Sequence, residues 1–171
     1  MNVVVTVYDE KWPSMFEEEA RALKAVFADE CIDIHHIGST SVPGLLAKPI
    51  IDIMPVVKNI EKAESFREEM IQLGYEPLGE AGISGRRYYR KGGKHRTHHV
   101  HMFQFDHDEE IERHIAFRDY LRAHREQAEK YGCLKARLAK QFPYDIEAYM
   151  DGKDKFVKQL EQDALHWKAN D

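Results

Sequence analysis

Cysteine is nearly missing from this sequence: of 171 residues only Cys31 and Cys133 are cysteine, far apart and in no C-x-x-C pair. That excludes a zinc ribbon and gives no basis for a disulfide framework, so two buried thiols of a reducing compartment are expected. Long apolar runs are missing too. No stretch approaches the ~18 residues of a membrane span, and the start, MNVVVTVYDEKW, has neither a basic n-region nor a cleavage site. The expectation is a cytoplasmic protein with no membrane partner. Nor does one sign of charge dominate, since 25 Lys and Arg against 30 Asp and Glu leave a net charge of −5. Nothing global therefore favours long nucleic acid, and an anionic ligand needs a local basic cluster. Internal repeats, low-complexity tracts and linkers are absent as well. At this length the chain suffices for one core, and residues 1–171 read as a single domain.

What the sequence does have is histidine. There are 10, and His35, His36, His95, His98, His99, His101 and His107 fall in two short stretches. Around them the pattern alternates between helix and strand. Trp12-Pro13 opens a helical stretch with Phe16, Leu23, Val26 and Phe27 on or near one face. Residues 32–37 read as a strand that runs into the turn-rich Gly38 to Gly44. The apolar run IIDIMPVV, residues 50–57, reads as a strand buried on both faces. Residues 60–73 read as a helix closed by Gly74, followed by strands over 75–78, 86–91 and 98–105. From Glu109 to Trp167 the pattern is helical, with breaks expected near Gln141-Phe142-Pro143 and at Gly152. Helices and strands in this order predict an α/β (α+β) domain, one mixed sheet with helices packed on it and a helical C-terminal part.

Chemistry is expected at three places. A Gly38-Ser39 turn directly after a strand offers backbone N–H groups and a hydroxyl, which suits a phosphate. Asp52 lies inside the apolar strand, where an ionised carboxylate is costly unless it is hydrogen-bonded, paired or bound to a cation; a structural Asp and a metal or substrate ligand are both open. In Arg96-Thr97-His98-His99-Val100-His101 alternate side chains share a face, so His99 and His101 point one way and His98 the other. Two adjacent imidazoles suit metal ligation, donation to phosphate oxygens, or a base and its partner. Beside them runs a basic stretch in which Arg86, Tyr88 and Arg90 share one strand face, and arginine clamps phosphate through paired N–H bonds.

The blocks HIGSTSVPGLLAKPIIDI (36–53), GRRYYRKG (85–92), RTHHVHMF (96–103) and HIAFRDYLRAH (114–124) stand in an order that resembles the GrpB family. The resemblance covers nearly the whole chain. It implies a nucleotidyltransferase-like fold, and a similar domain is fused behind some bacterial dephospho-CoA kinases. In that superfamily a Gly-Ser follows a strand, the next strand carries acid, apolar, acid, and a later strand adds a third carboxylate; together they hold two divalent ions. Gly38, Ser39 and Asp52 match this pattern. Met54 stands where the second carboxylate belongs, and the later strand brings His99 and His101 in place of an acid. The usual two-metal site is therefore not carried over; the residues themselves point to a divalent metal ion (Mg, Mn or Zn) held by Asp52, His99 and His101, with Gly38, Ser39, Thr40, Lys48, Arg86 and Arg90 as the phosphate-binding set. The expected ligand is a small nucleotide or a phosphorylated metabolite, either turned over or merely bound.

Overall fold

The computed structural model describes residues 2–170. They divide into two compact units, one made of residues 2–10, 38–49 and 112–170, the other of Lys11–Ile37 and Ile50–Ile111.

The second unit holds a mixed five-stranded sheet. Its strands are β1 (Cys31–Ile37), β2 (Ile51–Val57), β3 (Tyr75–Pro77), β4 (Arg86–Lys91) and β5 (His98–Gln104), in the spatial order β1-β2-β5-β4-β3. The β2–β5 pair is parallel and the others are antiparallel. Helix α1 (Trp12–Phe27) packs against β1 and β2. Pro13 sits in its first turn, where no N–H is needed, and Trp12, Phe16, Ala20, Leu23 and Phe27 recur every three or four residues to form the buried stripe. Strand β2 is buried on both faces as its composition requires, with Asp52 the position of intermediate exposure.

Between β2 and β3 the expected helix is in fact two. Ile60–Phe66 is a 3₁₀ segment capped by Asn59, whose side chain accepts from the Glu61 N–H, and only Arg67–Gln72 (α2) is α-helical. Gly74 ends it at φ +98°, a left-handed conformation that glycine adopts without strain.

The first unit is helical. Helix α3 (Asp108–Ala123) begins among residues of the sheet unit and ends in this one, and α4 (Arg125–Gln141) and α5 (Ile146–Ala169) follow. Val42 and Leu45 pack here with Ala116, Tyr120, Leu121, Ala128, Tyr131, Leu160 and Ala164. Two expectations need correction. The helical stretch breaks at His124, which nothing in the sequence announces, and it does not break at Gly152, which lies inside α5. A Cβ at Gly152 would come within 2.5 Å of Leu138 Cδ2, so that glycine serves the close approach of α4 and α5 and not a turn. The anticipated break at Gln141-Phe142-Pro143 is present. The cysteines differ as well: Cys31 is half-buried and Cys133 is exposed, and both are free. Residues 3–7 form no strand beyond one bridge, Thr6 to Ala47.

Candidate functional site

Register brings the chemistry of the sheet together. Asp52 on β2 pairs with His99 on β5, His99 with Arg90 on β4, and Arg90 with Glu76 on β3. One step along, His101 pairs with Tyr88. Since cross-strand partners share a face, Asp52, His99, His101, Tyr88, Arg90 and Glu76 form one polar field across four strands.

At its centre one carboxylate oxygen meets two imidazoles. Asp52 Oδ1 lies 3.0 Å from His101 Nε2 and 3.4 Å from His99 Nδ1. Burial by itself would raise the Asp52 pKa, but the hydrogen bonds from His101 and His99, reinforced by their charge, hold it well below the ordinary carboxylate range. Asp52 is therefore ionised, with a quarter of its side chain exposed. Tyr88 lies against both rings, its centroid 5.6 Å from His99 and 5.2 Å from His101. Burial first, then the Asp52 charge, pushes the Tyr88 hydroxyl upward, so it stays protonated.

Arg86 is a buried part of this field, and its partners are specific. It donates from Nε to the Glu80 carbonyl (3.1 Å) and from Nη2 to the Ala81 carbonyl (2.8 Å), while Nη1 lies 3.4 Å from His101 Nδ1. An arginine N–H can only donate. Nδ1 of His101 is then the acceptor, and Nε2 carries the proton toward Asp52. Arg86 thus orients His101 and stacks over Tyr88 at 4.7 Å. Arg90 is half-exposed and paired with Glu76 at 2.9 Å.

The donor set fits a single divalent ion. Donor atoms of Asp52, His99 and His101 lie within 4.8 Å of one another. Around a tetrahedral zinc-sized ion ligand atoms are about 3.3–3.5 Å apart, near the 3.0 Å and 3.4 Å that separate Asp52 Oδ1 from His101 Nε2 and His99 Nδ1, and the two imidazoles would close on each other by up to about an ångström. One carboxylate and two imidazoles suit Zn²⁺ or Mn²⁺ better than Mg²⁺, which prefers oxygen. Met54 shares the face of Asp52 but is fully buried and supplies no oxygen.

The Gly38-Ser39 turn belongs to the helical unit. Gly38 has φ +74°, which favours glycine, and the turn is closed by Ser41 N–H to Gly38 O (3.1 Å) and Val42 N–H to Ser39 O (3.2 Å). The partner of Ser39 was not visible in the sequence. Lys135, on α4 and 96 positions away, donates from Nζ to Ser39 Oγ at 2.8 Å and lies over the Tyr131 ring at 4.4 Å. With 2% exposure, Lys135 is a buried amine held against a hydroxyl. No local pattern marks it, because a lysine in a charged amphipathic helix reads as surface. Thr40 is buried in the same turn, Arg122 Nε donates to the Ser41 carbonyl at 2.8 Å, and Lys48 lies over the Tyr149 ring at 5.4 Å.

The Cid1 poly(U) polymerase bound to Mg and 3′-dATP superimposes with a TM-score of 0.55 at 14% identity, covering 80% of this chain and 43% of that one, which makes this a nucleotidyltransferase fold. The GrpB protein profile matches residues 2–163. The crystal structure of conserved protein GrpB from Enterococcus faecalis superimposes with a TM-score of 0.94 at 51% identity over 96% of this chain and 99% of that one. The chain belongs to the GrpB family. YqkA of Bacillus subtilis is 52% identical over 166 residues, 97% of this chain, but the chain spans only 48% of that relative's length. As the motifs implied, a dephospho-CoA kinase, from Mycolicibacterium paratuberculosis, also matches, at 22% identity over 93% of this chain and 45% of that protein.

Proposed function

We propose that the chain is a metal-dependent enzyme of the nucleotidyl-transfer class that acts on a nucleotide or a related phosphorylated small molecule. One observation carries this reading: an ionised Asp52 and the imidazoles of His99 and His101 converge on one face of a sheet whose fold is shared with a polymerase solved with a magnesium nucleotide. A divalent ion held there would polarise a phosphoryl oxygen and favour attack by a hydroxyl. Asp52 anchors the cluster and His99 supplies a second donor. His101 supplies the third when its proton moves from Nε2 to Nδ1, which gives up the 3.4 Å contact with Arg86. Within the helical unit by itself, Ser39 and Lys135, joined at 2.8 Å, form a separate candidate contact for a phosphate, with Gly38 shaping the turn. A net charge of −5 favours a small ligand over long nucleic acid, and a reducing cytoplasm suits the free thiols.

A second reading, a degenerate module that binds a nucleotide or phosphorylated metabolite without turnover, draws on Met54 in the position of the second carboxylate. The two separate in a thermal-shift panel of nucleotides with and without Mg²⁺, Mn²⁺ and Zn²⁺, run on wild type and Asp52→Asn. A metal-dependent shift lost in Asp52→Asn supports the enzyme. A nucleotide shift indifferent to metal and to Asp52 supports the module and removes the metal centre from the reading.

A further inference from the structure

Arg96 stands in the tight turn that joins β4 to β5. The turn closes only over glycine: Gly92 has φ +103°, and a Cβ there would lie 2.4 Å from the His95 carbonyl oxygen and 3.0 Å from Arg96 Cα. Two backbone bonds pin its far end, Thr97 N–H to Lys91 O (3.0 Å) and Ile51 N–H to Thr97 O (2.9 Å). Ile51 precedes Asp52, so the second bond ties Arg96 to the end of the sheet that carries Asp52 and His99. Arg96 immediately precedes Thr97, whose carbonyl holds the Ile51 N–H, so its side chain starts beside the Asp52–His99 end of the sheet.

Other cations of this field are occupied. Arg86 serves two carbonyls and His101, and Arg90 is held by Glu76. Arg96 is different, because its Nε is buried and has no hydrogen-bond partner. His99 Nε2 is also without a partner, but with Nδ1 turned to Asp52 it is an acceptor and not an N–H. A buried N–H without an acceptor is costly, and an anionic oxygen is the acceptor that repairs it best, since a guanidinium edge offers a planar pair of donors.

We propose that Arg96 anchors an oxyanion subsite beside the Asp52–His99–His101 cluster, and that the subsite takes a phosphate group of the molecule bound there. This deepens the reading of that face as a site for a phosphorylated small molecule and rests on it. The chemistry shared by candidate ligands is an oxyanion, and the subsite is assigned to phosphate.

Calorimetric titration in metal-free buffer tests it, with pyrophosphate as the probe and malonate as the carboxylate control, on wild type, Arg96→Gln, Arg96→Lys and Asp52→Asn. Pyrophosphate is expected to bind Asp52→Asn at least as tightly as wild type, since a nearby negative charge is removed, to bind Arg96→Gln roughly tenfold more weakly than wild type, and to be rescued only in part by Arg96→Lys, which lacks the planar pair of N–H groups. Equal affinity in wild type and Arg96→Gln, no binding to wild type, or binding of malonate in place of pyrophosphate would each overturn the assignment. Zn²⁺ titration of the same proteins keeps the two readings apart. A metal response that disappears in Asp52→Asn but persists in Arg96→Gln leaves the metal centre standing even if the phosphate subsite falls. Loss of pyrophosphate binding in Arg96→Gln, with no metal response in any protein, does the reverse.

Discussion

His98 and His99 are neighbours in the chain and opposites in the structure. His98 points to the α1 side of the sheet, where its Nδ1 lies 2.8 Å from Thr97 Oγ1 and its Nε2 lies 4.0 Å from Glu19. Around it Glu19 accepts from the Tyr75 hydroxyl at 2.8 Å and from Lys91 at 3.0 Å, and the network is closed. His99 points to the other side, where its Nε2 is buried with no partner; Arg96 Nε, in the adjoining turn, has none either. One face spends its polar groups on each other. The second leaves a donor and an acceptor unmet near an ionised carboxylate, which is the difference that the proposed function rests on.

The sharpest way to break this contrast is Asp52→Asn. Loss of the charged ligand is expected to weaken Zn²⁺ binding by more than the roughly 10–100-fold that follows loss of an outer-shell partner, read by competition with a chromophoric chelator. If the affinity is unchanged, the two histidines are not part of a metal centre. Gly92→Ala should come next, costing about 1–3 kcal/mol in backbone strain alone. It adds a clash with the His95 carbonyl, and urea denaturation reads the loss. A neutral outcome would mean that the Arg96 turn is not held as described.

On the closed face, Glu19→Gln should cost about 1–3 kcal/mol, because the Lys91 ammonium loses its buried carboxylate. Chemical denaturation at neutral pH measures this, and metal binding on the opposite face should not change. The smallest effect is in the pH dependence. Burial would raise the Glu19 pKa, but hydrogen bonds from Tyr75 and Lys91 and the nearby charges bring it below its ordinary 4.5. The folded state then binds fewer protons than the unfolded state. Its contribution to stability is complete above pH 4.5 and fades as pH falls below 4.5 through the folded-state value. Glu19→Gln should flatten the stability curve in that window and leave it parallel to wild type above it.

Much of the site was legible because strand periodicity is a local rule. The alternation in THHVH assigns His99 and His101 to one face and His98 to the other before any contact is known. An aspartate inside IIDIMPVV shows its cost on the page. The glycine at 74 and the proline at 13 mark helix ends for equally local reasons. Where sequence reasoning failed, the cause was distant. Gly152 looked like a breaker and is a contact point for Leu138, and His124 ends a helix without any breaker residue. Arg86 looked free to neutralise a ligand, yet two loop carbonyls and His101 engage it. Cys133 was expected inside and lies outside, since its side of α4 was not fixed by composition.

By itself the sequence determined the order of elements, the face of each strand residue and the family, because these depend on neighbours one to four positions away or on the order of short blocks. Only the tertiary structure decided which polar groups are satisfied. The 2.8 Å contact of Lys135 with Ser39 spans 96 positions, the orientation of His101 by Arg86 depends on strand register, and the unpartnered Nε of Arg96 depends on a turn closing over Gly92. Hydrogen bonds act over about 3 Å, so their partners are fixed by where the folded chain returns and not by where a residue stands in the sequence.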